Sequence, residues 1–313
     1  MNGVELAYEV SGTGVPVLLI GGTGMPAVGW QFSQSPALVA AGYEVVTFAS
    51  RGVAPSEAPP SPYRVADLAA DTAALIEHLA IGPCLIVGVS LGGFVAEELS
   101  RTRPELVRAC VLIASAGGPT AYVRAKFTAE RELFAAGWVP HSHDVVDMLT
   151  ATLRFDTLQD DDEAVTGWLA MLTQAPAAWT SPDGRLGQLH AEWSWMLDED
   201  RPAGWPEVRV PCLVIAFEHD LYLPPRVGRE AAQAMPDGRF ADVAGATHSG
   251  HFEHADRVNR LLIDFLQAQQ ARQQLPPEAR VAPVQSQCLP PMRAAPSPPP
   301  GAPSSAPTES PAS

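Results

Sequence analysis

Cysteine and positive charge are both scarce in this chain, and each shortage removes a class of function. Four cysteines, Cys84, Cys110, Cys212 and Cys288, are scattered over 313 residues with no Cys-x-x-Cys pair. That spacing suggests neither a disulfide framework nor a zinc site. Lys and Arg total 20 against 35 Asp and Glu, a formal charge of -15. Nucleic-acid binding needs clustered basic side chains to neutralise phosphates, so a nucleic-acid partner is set aside. No uninterrupted apolar run is long enough to span a bilayer, and Met1 to Val10 lacks the basic start and apolar stretch of a signal peptide. A cytoplasmic protein without a membrane partner is the expectation, its oligomeric state left open. Gly21-Gly22-Thr23-Gly24 lacks the later Gly and Lys of a phosphate loop, and no group of His, Cys and acids has metal-ligand spacing. No metal, nucleotide or other cofactor is therefore expected.

What the chain does have is apolar material, 46% of its residues, arranged in an alternation of strands and helices. Asn2 to Val10 reads as a strand, Pro16 to Ile20 as a buried strand, Glu44 to Ala49 as a third, and Cys84 to Val87 and Arg108 to Ala114 as two more. Between the third and fourth, Arg64 to Ala80 places Val65, Leu68, Leu75, Ile76 and Leu79 near one helical face. Strands apolar on both faces and alternating with helices imply a mainly parallel sheet covered on each side. From Thr120 to Trp205 only helix-like stretches occur. The alternation then resumes at Pro211 to Phe217, Arg239 to Val243 and a helix from Ala255 to Gln270. The expected division is a core from 1–116 and 206–270, a helical insertion over 117–205, and a tail over 271–313. The tail carries twelve prolines in forty-three residues and is expected to be disordered, because its composition cannot build a packed core.

Ser90 is the chemical focus. It sits in Gly88-Val89-Ser90-Leu91-Gly92, directly after the Cys84 strand and directly before Gly93-Phe94-Val95-Ala96-Glu97-Glu98-Leu99, which reads as a helix start. A strand turning sharply into a helix needs small residues on both sides, and such an elbow holds a serine hydroxyl proud of the sheet. A serine hydroxyl is a poor nucleophile near neutral pH, so it needs a contacting base and a third group to orient that base. Asp220 follows the Pro211 to Phe217 strand, with Glu218 two residues earlier as its competitor. His248 lies in Gly245-Ala246-Thr247-His248 after the Arg239 strand, with His251 and His254 as rivals.

In these motifs, taken in the order Ser, Asp, His with each on its own loop after a strand, the chain resembles the α/β-hydrolase superfamily from Asn2 to Gln270. The likeness is strongest to small bacterial hydrolases that include serine esterases and cofactor-free perhydrolases. The resemblance implies an α/β-hydrolase fold, a mainly parallel sheet flanked by helices with a helical cap insertion. It implies Ser90 as nucleophile, His248 as general base, Asp220 as its orienting carboxylate, and an oxyanion hole from the backbone N–H groups of Thr23 and Leu91. Arg51-Gly52 with Ser56 is similar to the family's Arg-Gly-x-x-x-Ser turn, expected to support structure. Gly21 stands where many relatives have His, and Ala49 where many have Asp.

Six of the seven tryptophans lie between Trp138 and Trp205, in the insertion that this fold would place over the catalytic mouth. Trp138, Trp168 and Trp193, with Trp30, Phe94 and His251, are the expected pocket residues, suited to an apolar acyl group. The expected activity is cofactor-independent hydrolysis of a small-to-medium apolar ester or thioester through an acyl-enzyme on Ser90. Four alternatives remain: a biosynthetic thioesterase, a carbon-carbon bond hydrolase, a perhydrolase, and a non-hydrolytic cyclase or ligand-binding protein on the same fold.

Overall fold

A computed structural model describes residues 2–137, 141–173 and 178–274. Seven strands form one sheet: β1 (Tyr8–Gly12), β2 (Val15–Ile20), β3 (Tyr43–Phe48), β4 (Cys84–Val89), β5 (Val107–Ile113), β6 (Cys212–Phe217) and β7 (Gly238–Val243). Their spatial order is β1-β3-β2-β4-β5-β6-β7. Every pair is parallel except β1 with β3. The central strands β4 and β6 are buried at every residue, as strands covered on both faces must be.

Side-chain alternation divides the core in two. Leu18, Ile20, Ile86, Leu112 and Val214 face a cluster with α2 (Val65–Leu79), α3 (Leu91–Thr102) and α9 (Pro225–Ala234). Val17, Leu19, Leu85, Val87 and Ile215 face the opposite cluster, with α1 (Gln34–Ala40) and α11 (Ala255–Gln274). One helix layer on each side is the expected arrangement.

Two boundaries differ from expectation. Residues 2–7 are not strand, although Val4 and Leu6 are buried. Their backbone bonds to a turn instead: Glu57 N–H donates to the Glu5 carbonyl and Ala7 N–H to Ser56 Oγ. Helix α11 continues to Gln274, so only the first four residues of the expected tail are described, and they are helical. The remainder of that tail lies outside the described residues.

Between β5 and β6 lie α4 (Ala121–Ala135), α5 (His141–Thr152), α6 (Phe155–Asp160), α7 (Asp162–Thr173) and α8 (Pro182–Leu197), followed by a 3-10 turn at Arg201–Glu207. Helices α5 to α7 make a small cluster of their own, from Val145, Leu149 and Leu153 with Leu158, Val165, Trp168 and Leu172. Helix α8 is tied to the core. Gln188 donates through Nε2 to the Arg51 carbonyl (2.8 Å) and accepts from Gly24 N–H at Oε1 (2.9 Å). Arg51 itself is buried against Asp71, with Nη2 to Oδ1 at 2.6 Å, and Ser56 Oγ donates to the Ala49 carbonyl. The Arg-Gly turn thus carries structure and seats the cap.

Candidate active site

The strand-to-helix turn at Ser90 is built from glycine. A Cβ on Gly88 would collide with the Gly92 carbonyl, one on Gly92 with the Ile20 carbonyl, and one on Gly93 with the Ser115 side chain. Ser90 has φ 51° and ψ -123°, a left-handed-side conformation that costs roughly 1–3 kcal/mol for a residue with a Cβ. The surrounding close contacts hold it there and aim the hydroxyl out of the sheet.

Three loops at the carboxyl ends of β4, β6 and β7 meet at that hydroxyl. His248 Nε2 lies 3.1 Å from Ser90 Oγ, and His248 Nδ1 lies 2.9 Å from Asp220 Oδ2. The other Asp220 oxygen accepts from the backbone N–H of Tyr222 (2.8 Å) and Leu223 (3.1 Å), so the buried carboxylate has donors on both oxygens. Burial alone would push the His248 imidazole down. Asp220, assisted by Glu192, outweighs it and holds the pKa above the ordinary histidine value. Glu218, the competing acid, braces the next loop by accepting from Gly245 N–H at 2.8 Å. Glu253 accepts from Thr247 Oγ1 at 2.9 Å and steadies the residue before His248.

The Gly22-Thr23 turn lies against the serine. A Cβ built on Gly22 would stand 3.3 Å from Ser90 Cβ and 3.9 Å from Oγ. Leu91, as the first residue of α3, carries an amide that the helix itself cannot satisfy. The Gly22-Thr23 turn and the start of α3 thus flank the serine on two sides. Among the described residues no group of three or more His, Cys, Asp or Glu side chains is placed to hold a metal ion, and no helix is long and apolar enough to cross a membrane.

The profile of the alpha/beta hydrolase family matches residues 17–261. The chain belongs to the alpha/beta hydrolase family. It is 37% identical over 263 residues to the protein named "Putative non-heme bromoperoxidase BpoC" of Mycobacterium tuberculosis, covering 84% of this chain and 97% of that one. The crystal structure carrying that name superposes with a TM-score of 0.75 at 37% identity, covering 84% of this chain and 96% of the other. The enol-lactonase of Burkholderia xenovorans gives a TM-score of 0.70 at 27% identity, covering 85% and 98%. A 2-hydroxy-6-oxononadienedioate/2-hydroxy-6-oxononatrienedioate hydrolase of Burkholderia vietnamiensis is 28% identical over 282 residues, covering 85% and 92%.

The aromatic pocket expected of this alpha/beta hydrolase needs correction. Trp30 is 0% exposed, sits in the core cluster with Val17 and Leu38, and faces His251 at 6.2 Å between ring centroids. Phe94 is 1% exposed and stacks on Trp195 beneath the cap. Trp193 is 2% exposed, with Nε1 donating to Glu130 Oε2 and its ring against Phe134. Trp168 belongs to the α5–α7 cluster. His251 is buried, and burial, then the neighbouring His248, push its imidazole down to about 3. Trp138 lies outside the described residues. Trp30, Phe94 and Trp193 are thus members of the core clusters.

Beside Thr23 and His248 stand polar side chains that the sequence did not single out, Glu192, Tyr222 and Lys126. Thr23 Oγ1 donates to Glu192 Oε2 at 2.9 Å. Tyr222 sets its ring edge-on to His248, centroids 4.9 Å apart. Lys126 Nζ stands 5.2 Å from the Tyr222 ring centroid and is bound by Glu130 and by Asp147 Oδ2, the latter at 2.8 Å. Burial disfavours the Lys126 charge, but these two carboxylates outweigh it. The one sequence signal for Glu192 was its spacing of four from Gln188, which puts both on one face of α8.

Proposed function

We propose that this enzyme is a cofactor-independent serine hydrolase that cleaves a small-to-medium ester or thioester through an acyl-enzyme on Ser90. The single observation that carries this is the continuous chain Ser90 Oγ, His248 imidazole, Asp220 carboxylate, with contacts of 3.1 and 2.9 Å. His248 Nε2 removes the proton as Ser90 Oγ attacks the carbonyl carbon. The developing oxyanion takes hydrogen bonds from the Leu91 and Thr23 amides, each worth about 3 kcal/mol in the transition state. The tetrahedral species expels the leaving group, which takes the proton from His248. Water then attacks the acyl-enzyme, gives its proton to His248, and frees the acid and Ser90.

A second reading keeps the same acyl-enzyme but replaces water by hydrogen peroxide, so that a peracid leaves. The resemblance to the protein named as a bromoperoxidase favours it. Labelling with a fluorophosphonate tests both: wild type is expected to label, and Ser90→Ala to stay unlabelled with turnover lowered about a million-fold. An unlabelled wild type, or an unchanged rate in Ser90→Ala, overturns the proposal. The ratio of peracid to acid formed in peroxide separates the two readings.

A further inference from the structure

Glu192 is a half-buried carboxylate beside the oxyanion turn that the relay does not use. Helix α8 presents it one turn beyond Gln188, whose bonds to Gly24 N–H and the Arg51 carbonyl fix the helix over the oxyanion turn. The carboxylate therefore arrives against Thr23, next to the Gly22 that abuts Ser90. Among the described residues its one hydrogen-bond donor is the Thr23 hydroxyl, on Oε2. A carboxylate can accept about four hydrogen bonds, so most of its capacity is unspent. Glu192 is half-buried and keeps accessible surface, and its charge acts on the His248 imidazole.

Among the described residues no cation is paired with it in contact. The nearby ammonium of Lys126 is held by Glu130 and Asp147, and among the described residues no Lys or Arg forms an ion pair with Glu192. Burial and then the like charge of Glu130 raise its pKa, against the Thr23 hydroxyl, Lys126 and His248, which lower it. An acid desolvated this far with one partner costs stability. Packing does not explain it, since an apolar residue would fill the place without that cost. A donor arriving with the substrate would offset it.

Resting on the serine-hydrolase reading above, we infer that Glu192 is a specificity-determining residue that accepts a hydrogen bond from a hydroxyl or ammonium group of the substrate, close to the scissile carbonyl. The substrates are then hydroxy- or amino-substituted esters or thioesters. The surplus of carboxylates among Glu130, Asp147 and Glu192 over the single Lys126 also disfavours an acyl group that carries its own carboxylate.

Four esters of matched size separate the possibilities: ethyl butyrate, ethyl 3-hydroxybutyrate, ethyl 3-aminobutyrate and monoethyl succinate. In wild type, kcat/KM for the hydroxy or amino ester is expected to exceed that for ethyl butyrate by roughly ten- to a hundredfold, the range of a hydrogen bond to a charged group. Monoethyl succinate is expected to be slowest. Glu192→Gln keeps an acceptor for Thr23 and should lose the ammonium preference while retaining part of the hydroxyl one. Glu192→Leu should abolish both. No preference in wild type, or a preference unchanged in Glu192→Leu, overturns the inference.

The pH profile supplies a readout that simple packing would not move. His248 faces Asp220, Glu192, Lys126, Tyr222 and His251, and Glu192 is one of the charges that raise its pKa. Since His248 must be neutral to act, removing that charge should move the acid limb of kcat/KM for ethyl butyrate to lower pH in both variants. An unmoved limb counts against Glu192 facing the site. Calorimetric binding of the same esters to Ser90→Ala gives the ranking without turnover. A graded ranking that flattens when Glu192→Leu is added supports the inference even if wild type fails to label with fluorophosphonate; a flat ranking in both overturns it even if labelling succeeds.

Discussion

Helix α8 and the α5–α7 triplet belong to one insertion, yet they meet the rest of the molecule through different chemistry. Helix α8 buries Ala191, Trp193 and Met196 in the core and adds directional polar bonds: Gln188 reaches the Gly24 and Arg51 backbone, Glu192 reaches Thr23, and just beyond the helix Arg201 pairs with Glu97 at 3.0 Å. The triplet instead packs on itself through Val145, Leu149 and Leu153, and leaves Phe155 76% exposed. Directional bonds fix α8 to within hydrogen-bonding tolerance of the oxyanion turn. Apolar contacts hold the triplet together, and its α5 end meets the His248 loop, where the Thr247 hydroxyl donates to the Thr152 carbonyl. Both parts of the insertion reach the site loops, α8 at the Gly22-Thr23 turn and α5 beside His248.

Breaking the α8 side should have the largest effect. Arg201→Met leaves Glu97, 4% exposed at its side chain, with only Trp205 Nε1 at 3.1 Å as a side-chain donor among the described residues. Burial already raises the Glu97 pKa against the opposing pull of Arg201. A loss of about 3–5 kcal/mol is expected, read as a lower urea midpoint with unchanged slope. A midpoint like that of wild type would show that α8 is not anchored through this pair.

On the triplet, Leu149→Ala removes a buried side chain from a cluster of few members, at a cost of about 2–3 kcal/mol. The contrast predicts that the loss stays local: amide exchange in α5 and α7 should speed up while β4, α3 and α8 keep their protection. Faster exchange spreading into α3 would erase the distinction between the two halves. Phe155→Ser, at the exposed end, should shift stability by less than about 0.5 kcal/mol in the same urea titration. A larger loss would mean that this ring is covered in solution.

The sheet and the elbow were legible because both are local. Buried runs such as Cys84–Val89 and Cys212–Phe217 declare central strands without reference to anything distant, and Gly88, Gly92 and Gly93 declare a turn too tight for a Cβ. The order of Ser90, Asp220 and His248 on separate post-strand loops was legible for the same reason. Choosing Asp220 over Glu218 needed direction as well: the two point to different loops, one to His248 Nδ1 and the other to Gly245 N–H. The strand expected over Asn2 to Val10 failed where side-chain burial and backbone pairing parted company, since Val4 and Leu6 are buried on a segment whose backbone bonds to the Ser56 turn.

The tryptophans carry the sharper lesson. Their concentration in the insertion suggested an apolar wall, but composition does not say which face of a helix turns inward. Large rings that can bury fully do so, and Trp193 and Phe94 went into the core. The sequence alone determined the layered sheet, the strained serine turn and the three loops that converge on it, because nearest-neighbour sterics and strand periodicity suffice for those. Only the tertiary structure decided what stands above Ser90. That depends on how α8 docks, through bonds between residues such as Thr23 and Glu192 that lie 169 positions apart, and no local pattern encodes such a meeting.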